Sequence, residues 1–310
     1  MVATLESATD DPLIVTYLRH FSMSRYGLVR EKELFGVIKR KITNKKLAVQ
    51  FSTDLSNTSK IYASLINADH ELWSKYDTTT RNSVVALNLL GMVQVRPLLI
   101  AILDRLDPRS VSAAFRKLVA AAVRFQIVGG AGGGTLERIY SEAARGVTDG
   151  TLKTIADILK VFTTLPTDSA FIAAFSVASI SKQALARYYL RTLESESPET
   201  TGELVPNADP KSVNLEHILP ITPSPYWTQL WSTDDTRAFQ RRLGNMAILS
   251  AKVNSTVGND TFETKRRLFE ASPFKFTAMI ADFPVWNKAS IDQRQIEMAK
   301  VAAKIWSVRP

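Results

Sequence analysis

The stretch that decides the fold is Asn214-Leu215-Glu216-His217-Ile218-Leu219-Pro220, near the start of the last third of the chain. Its apolar residues and the closing proline predict a short strand that ends at Pro220. Met246-Ala247-Ile248-Leu249 predicts a second short strand. Helical periodicity follows the second strand, with helices expected at about 251–256, 261–271, 274–282 and 290–306. The C-terminal third is therefore predicted to be a small α+β unit.

Polar residues at capping distances indicate where several helices begin. Two pairs are spaced as capping boxes for C-terminal helices: Asp260 with Glu263, and Ser290 with Gln293. Further towards the N-terminus, Asp107-Pro108 is expected to start a helix, because proline is favoured in the first helical turn.

Two domains and a linker are predicted from pattern and composition. Residues 12 to about 195 show one helical pattern after another and no run of alternating strand residues. Residues 196–211 are rich in Ser, Pro, Glu, Thr and Asn, a composition typical of a linker. The expected organisation is a helical domain at 1–195, a linker at 196–211 and an α+β domain at 212–310, so the fold class is mainly α.

Composition excludes several kinds of site. The 310 residues include no cysteine and three histidines, His20, His70 and His217. Thiol nucleophiles, disulfide scaffolds, cysteine zinc sites and iron–sulfur clusters are therefore excluded. The net charge of +9 favours a polyanionic partner. His20 and His70 lie in helical segments without a partner motif, so structural roles are expected for both.

Nothing in the sequence indicates a membrane or an export signal. Met1 to Asp11 is polar and acidic, without the apolar stretch of a signal peptide. No run of about 18 apolar residues occurs, so no membrane contact is expected. The cytoplasm is the expected location.

The residues that suggest chemistry are Glu216, His217, Asn245 and Asn254. Phosphodiester hydrolysis needs a base for water and a cation against the charge that develops on phosphorus. One histidine can be the base, and carboxylate and amide oxygens are hard ligands that suit Mg²⁺ or Mn²⁺. Glu216 and His217 are adjacent, so on a strand they would face opposite sides. A joint site then requires the bend near Pro220 or a metal at the strand edge.

This pattern, EHILP followed by RLGNMAILSAKVNS, resembles the His-Me finger (HNH) nucleases, in which a β-hairpin and a helix enclose one metal ion (the ββα-metal fold). The longer stretch LGNMAILSAKVNSTVGNDTFETKR, with Trp286 and the helix ending in Ile305-Trp306, resembles the C-terminal nuclease domain of GmrSD-type, modification-dependent (type IV) restriction proteins. SspE proteins are similar in that domain. The resemblance covers about 205–310 and is diffuse over 12–195.

The resemblance implies a role for each motif residue. His217 corresponds to the general base that activates water, and Asn245 to the asparagine that holds the loop and orients the histidine. Glu216 and Asn254 correspond to the ligands of one divalent cation, Mg²⁺ or Mn²⁺. The implied activity is metal-dependent nicking or cutting of DNA that leaves a 5′-phosphate and a 3′-hydroxyl, in defence against phage. Asn259 lies at a position that is similar across the subgroup.

Two departures from the resembled family matter. Its full-length members carry an N-terminal ParB-like nucleotide-binding domain with an Asp-Gly-Gln motif, and no Asp-Gly-Gln occurs in this sequence. The chain is therefore expected to be either a C-terminal fragment or a stand-alone nuclease, without NTP hydrolysis. The resemblance implies an N-terminal nucleotide-binding domain or a partner subunit outside this chain. Ile221 stands where the subgroup often has glutamine, so no polar role is expected there.

DNA contacts are predicted from basic residues that flank the motif: Arg241, Arg242, Lys252, Lys265, Arg266 and Arg267. For Lys265 the alternatives are phosphate contact or a local structural role. For Lys39-Arg40-Lys41 with Lys45-Lys46, the alternatives are a solvated face or contact with the DNA backbone. Trp227, Trp231, Trp286 and Trp306 are expected to anchor cores rather than stack on bases.

Other readings of the sequence stay open. The chain could be a DNA-binding or adaptor module whose nuclease fold does not cut, which the net charge supports equally well. It could also be a helical protein-interaction scaffold. The glycine-rich stretch 128–134 lacks the Gly-Lys-Ser/Thr of a phosphate loop and is expected to connect two helices.

Overall fold

The computed structural model describes residues 13–195, 213–250 and 258–309, and these residues are mainly helical. A two-stranded antiparallel sheet is the only sheet among them. The contacts divide the chain into two compact units, which we call the N-terminal unit (up to Leu165, with the last residues from Val308) and the C-terminal unit (Pro166–Ser307). This division falls earlier in the chain than the predicted linker at 196–211, which lies outside the described residues.

The N-terminal unit is helical throughout its described part, as predicted. Its helices are α1 (Ile14–Tyr26), α2 (Leu34–Lys41), α3 (Lys45–Ile66), α4 (Thr78–Leu89), α5 (Arg96–Arg105), α6 (Pro108–Val128), α7 (Gly133–Thr148) and α8 (Ile155–Lys160). Short 3₁₀ turns lie at Glu31–Glu33, Glu71–Lys75 and Val93–Val95.

Helix α6 shows how local sequence and packing agree in this unit. The Asp107 carboxylate accepts hydrogen bonds from the backbone of Arg109 and Ser110, and Pro108 occupies the first turn, as predicted. The apolar face of α6 is buried against its neighbours. The glycine-rich stretch then connects α6 to α7, and Gly129 and Gly130 adopt φ of 72° and 81°, a conformation that favours glycine.

The two histidines of this unit have structural surroundings. His20 is buried in α1, and its Nδ1 lies 2.9 Å from the Tyr62 hydroxyl. The His70 Nδ1 accepts a hydrogen bond from the Leu72 backbone and caps the turn Glu71–Lys75.

The C-terminal unit joins seven helices and the sheet among its described residues. They are α9 (Asp168–Phe175), α10 (Gln183–Ser195), β1 (Val213–His217), α11 (Pro225–Leu230), α12 (Thr233–Phe239), β2 (Met246–Ser250), α13 (Phe262–Glu270), α14 (Lys275–Ala278) and α15 (Lys288–Ile305). Short 3₁₀ turns lie at Leu243–Asn245 and Met279–Asp282. Both predicted strands are confirmed, and the helix expected at about 251–256 lies outside the described residues.

The predicted caps of two C-terminal helices are wrong by one and three residues. Thr261, not Asp260, caps α13 by accepting a hydrogen bond from the Thr264 backbone. Asn287 caps α15, and Ser290 occupies the third helical position of that capping box. Several polar residues close to each helix start can serve as caps, so spacing in the sequence does not decide which one is used.

A cluster of buried apolar residues forms the core of the C-terminal unit around the sheet. Trp227, Trp231 and Trp286 lie in it, with Ala247 and Leu249 from β2. Trp306 is buried against the rings of α9 and α10. The prediction that these four tryptophans anchor cores is confirmed. None of the helices in the described ranges is long and apolar enough to cross a bilayer.

Candidate nuclease site

The sheet places the motif residues at one end of β1. The two strands are antiparallel, with Glu216 opposite Ala247 and His217 opposite Met246. Because β2 begins directly after the turn Leu243–Asn245, the end of β1 and this turn are neighbours. The structure therefore brings Glu216, His217 and Asn245 together, whereas Asn254 lies outside the described residues.

His217 is the last residue of β1 and is half-buried. Burial, together with the positive charges of Lys265 and Arg241, lowers the pKa of its imidazole to about 4. Within the part of the chain that the structure describes, no side chain hydrogen-bonds this ring. At neutral pH the imidazole is therefore uncharged and has a nitrogen lone pair available, as a base requires.

Glu216 forms a buried ion pair with Lys265 of α13. The Lys265 Nζ lies 2.6 Å from Glu216 Oε1 and 2.9 Å from the backbone oxygen of His217, to both of which it donates. The side chain of Lys265 is 0% exposed and that of Glu216 is 13% exposed. Burial raises the pKa of Glu216 while Lys265 lowers it, and burial lowers the pKa of Lys265. The lysine thus links the carboxylate to the backbone of the neighbouring histidine.

Asn245 fixes the chain that follows His217. Its Oδ1 accepts from the Leu219 backbone at 2.8 Å and from Trp286 Nε1 at 2.9 Å. Its Nδ2 donates to the backbone oxygens of Leu219, at 2.9 Å, and Gln240, at 3.0 Å. The Asn245 backbone oxygen also accepts from Ile218. The side chain is completely buried, and its two amide atoms make four hydrogen bonds, so it holds the loop after β1 in one position.

Arg294 supports the turn that carries Asn245, and the sequence analysis missed it. Its guanidinium is completely buried and donates to the backbone oxygens of Gly244 at 2.6 Å and Met246 at 2.8 Å. It also donates to the Phe276 oxygen at 3.0 Å. Burial lowers its pKa to about 10, so it stays charged at neutral pH. Its spacing in the sequence could have indicated this role, because Arg294 lies between Ile291 and Met298 on the buried face of α15.

Gln295, the next residue of α15, holds the same turn from its other side. Its Oε1 accepts from Arg242 Nε at 2.9 Å and from the Gly244 backbone at 3.1 Å. Its Nε2 donates to the oxygens of Phe175, at 2.7 Å, and Ala178, at 2.9 Å. Together with Arg294, it fixes the turn Leu243–Asn245 to helix α15.

The structure buries the side chains of two predicted DNA contacts, Arg242 and Lys265. The Arg242 guanidinium donates to the Ser176 oxygen at 2.7 Å and to Asp292 at 2.8 Å, besides Gln295. Lys265 is occupied by Glu216 and the His217 backbone, which agrees with the alternative of a local structural role. Only 10% of the Arg242 side chain is exposed, and the Lys265 side chain is 0% exposed.

Three of the predicted contacts stay at the surface. Arg241 is exposed, lies close enough to His217 to lower its pKa and donates to Ser181 Oγ at 3.3 Å. Arg266 Nε and Arg267 Nη2 lie 3.6 Å and 3.4 Å from the carboxylate oxygens of Glu263, whose negative charge offsets part of theirs. Lys252 lies outside the described residues. Arg241 is thus the best placed of the described candidates to contact a phosphate near His217.

Asn259 connects the end of the loop after β1 to the segment before α13. Its Oδ1 accepts from the Ser224 backbone at 3.2 Å, and its Nδ2 donates to the Thr222 oxygen. Since α13 carries Lys265, this tie helps to fix α13 relative to β1.

Gly244 allows the turn to approach α15 closely, and Gly244→Ala is expected to destabilise the protein by about 1–3 kcal/mol. A Cβ at this position would clash with the Ile291 backbone oxygen and would lie 2.9 Å from Gln295 Cβ. A helix backbone cannot rotate away as a side chain can. Urea unfolding followed by circular dichroism and tryptophan fluorescence measures the loss.

The matched control is Gly134→Ala, in the first turn of α7, where an added Cβ meets no atom within 4 Å. It is expected to leave the stability unchanged or to raise it by up to about 1 kcal/mol, because alanine favours helix. Equal midpoints for the two variants would show that the contact of Gly244 with α15 is unimportant.

Comparison with known proteins gives a family match over the part of the chain that contains these residues. Residues 165–301 match the family model of the C-terminal domain of GmrSD restriction endonucleases. No curated protein matches the sequence. The matched range includes β1, the turn Leu243–Asn245 and helices α13 and α15 up to residue 301, and it indicates a restriction-endonuclease-type hydrolase whose substrate is DNA. Over residues 165–301 the chain is similar to the C-terminal domain of GmrSD restriction endonucleases.

Proposed function

We propose that the C-terminal unit is a nuclease of the His-Me finger (HNH) type that hydrolyses phosphodiester bonds in DNA. The observation that carries the proposal is the position of His217 at the end of β1, directly before a loop that Asn245 holds with four side-chain hydrogen bonds. A base must be unprotonated and held in position to take a proton from water. The match to a restriction-endonuclease domain supports DNA as the substrate.

His217 takes a proton from the attacking water in this proposal. Arg241, exposed and close to His217, contacts a non-bridging phosphate oxygen and offsets negative charge as the water attacks. Asn245 and Lys265 act through the backbone: Asn245 holds the loop after β1, and Lys265 holds the carbonyl of His217. The bond between phosphorus and the 3′-oxygen breaks, and the 3′-oxygen takes a proton from solvent, so hydrolysis leaves a 5′-phosphate and a 3′-hydroxyl.

Metal dependence is part of the proposal. Among the described residues, no group of three or more His, Asp and Glu could hold a metal ion. Glu216 contributes one carboxylate, and one of its oxygens is bound to Lys265. Its remaining oxygen and the amide oxygen of Asn254 are hard donors that fit Mg²⁺ or Mn²⁺ in kind. A cation bound there would supply positive charge against the leaving oxygen.

An assay that follows the nicking of supercoiled plasmid tests the proposal. Supercoiled DNA incubated with the full chain is expected to become nicked or linear with Mg²⁺ or Mn²⁺, and to stay supercoiled with EDTA. Ligation by a ligase that needs a 5′-phosphate and a 3′-hydroxyl checks the product ends. Cutting that is equally fast in EDTA would contradict the metal requirement.

A second candidate is a DNA-binding module that does not cut. The ion pair between Lys265 and Glu216 favours it, because the lysine already neutralises the predicted metal ligand. This candidate predicts salt-dependent DNA binding with no conversion of plasmid by any metal. The biological setting that we propose for the cutting form is restriction of phage DNA.

A further inference from the structure

Helix α2 and the start of α3, in the N-terminal unit, form a concentrated basic surface. Residues 34–53 include Lys39, Arg40, Lys41, Lys45 and Lys46 and contain no aspartate or glutamate. We call these five residues the basic surface. The preceding residues 30–33 carry two basic and two acidic side chains, so they balance. The positive charge is therefore confined to the two helix ends that meet at residues 42–44.

These side chains are exposed and available. All five are exposed, and no ion pair of the described residues includes any of them. Lys41 lies over the Tyr26 ring at 5.4 Å. By contrast, Arg266 and Arg267 share the carboxylate of Glu263. The basic surface thus keeps its charge free for an external anion.

Two of these lysines lie where their charge lowers the stability of the helix that carries them. Lys45 and Lys46 lie in the first turn of α3, where the helix dipole is positive, and that turn has no acidic residue. Asn44 alone caps the helix, through the Leu47 backbone at 2.9 Å. Local arrangements that oppose the stability of an element are expected at functional surfaces.

We propose that the basic surface binds the phosphate backbone of DNA, as a second DNA contact in addition to the site at His217. The choice of DNA as the polyanion rests on the proposed function of the C-terminal unit. Each Lys or Arg that reaches a phosphate releases condensed counterions, and this gain does not depend on base sequence. A surface of this kind holds DNA of any sequence and raises its local concentration for the nuclease unit.

An anionic membrane is the competing partner, because apolar side chains lie beside the charges. Phe35, one turn before Lys39, is 77% exposed, and Val49 is 59% exposed. Membrane binding requires such side chains to enter the bilayer, whereas contact with a phosphate backbone does not. Phe35→Ser therefore separates the two partners.

The test compares two full-chain variants that lose the same charge. The first changes Lys39, Arg40, Lys45 and Lys46 to glutamine, and the second changes the exposed Lys60, Lys75, Arg109 and Lys153 of the same unit to glutamine. Binding of a labelled DNA duplex is measured by fluorescence anisotropy in EDTA over a range of salt. The first variant is expected to bind on the order of tenfold more weakly, with a salt slope lower by about 3–4, or about 0.9 for each lost contact.

The comparison with the control variant decides the outcome. A loss of affinity at least threefold larger in the first variant supports the proposal, and any smaller difference overturns it. Circular dichroism shows that the variants are folded, and the first is expected to melt at the same or a higher temperature because it removes cations from the start of α3. Phe35→Ser is expected to leave duplex binding within threefold. The proposal is also overturned by a combination of two results: the wild type binds phosphatidylserine vesicles and Phe35→Ser abolishes that binding, while the first variant binds DNA as the wild type does.

Failure of this inference can be told apart from failure of the proposed function. If DNA binding depends on the basic surface but no metal-dependent nicking occurs, the result contradicts the nuclease and supports the DNA contact of the basic surface. Metal-dependent nicking, together with equal DNA affinity of the two charge variants, supports the nuclease and overturns the DNA contact of the basic surface.

Discussion

A full chain with His217→Ala is expected to nick supercoiled plasmid about 10²–10⁴ times more slowly than the wild type. The imidazole lies at the end of β1, is uncharged at neutral pH and has no side-chain hydrogen bond among the described residues. Alanine removes the base but keeps the strand, since the pairing of His217 with Met246 uses backbone atoms. Initial rates of nicking in Mg²⁺ and in Mn²⁺ measure the effect.

His70→Ala is the matched control for the loss of a histidine. His70 caps a short turn in the N-terminal unit. It is expected to leave the nicking rate unchanged. Equal nicking rates for the wild type and His217→Ala would show that His217 has no part in the mechanism. If His217→Ala nicks slowly but binds DNA with wild-type affinity, the defect lies in the chemical step.

Replacement of Lys265 by methionine is expected to destabilise the protein by about 3–5 kcal/mol. The substitution keeps the length of the side chain but leaves the carboxylate of Glu216, 13% exposed, without its counter-charge. It also removes the hydrogen bond to the His217 oxygen. Four of the five tryptophans lie in the C-terminal unit, so tryptophan fluorescence in a urea titration reports mainly on its unfolding.

Arg267→Met, on the same helix, is the control for this prediction. Arg267 is 76% exposed and its ion pair with Glu263 is solvated, so the expected change is within about 0.5 kcal/mol. The double variant Glu216→Gln/Lys265→Met removes both buried charges and is expected to recover much of the loss. If Lys265→Met unfolds at the same urea concentration as Arg267→Met, the buried pair does not stabilise the unit.

Much of the local structure could be predicted because it depends on neighbours in the sequence. The two strands, the helix starting at Asp107-Pro108 and the buried tryptophans follow from apolar pattern and turn residues. His217 and Asn245 could be picked out because EHILP followed by RLGNMAILSAKVNS resembles the His-Me finger motif. The structure places them at the end of one strand and directly before the other. Their roles in cutting DNA stay predictions.

The part that could not be predicted concerns which charged side chains are buried. Arg241 and Arg242 are adjacent and of one chemical type, yet the first is exposed and the second is enclosed by Gln295, Asp292 and Ser176. Their order in the sequence gives no reason for the difference. The bridge between Ser179 and Arg242 and the packing of α15 decide it.

The sequence by itself determined a mainly helical chain with a short pair of strands in its last third, and it singled out one histidine for catalysis. Periodicity and capping act within a few residues, so they are visible in the sequence. The tertiary structure alone decided that Lys265 pairs with Glu216, 49 residues away, and that Arg294 holds the turn before β2. The burial of a charge depends on which distant groups the packed chain brings within hydrogen-bonding distance, and residue order along a helix does not carry that information.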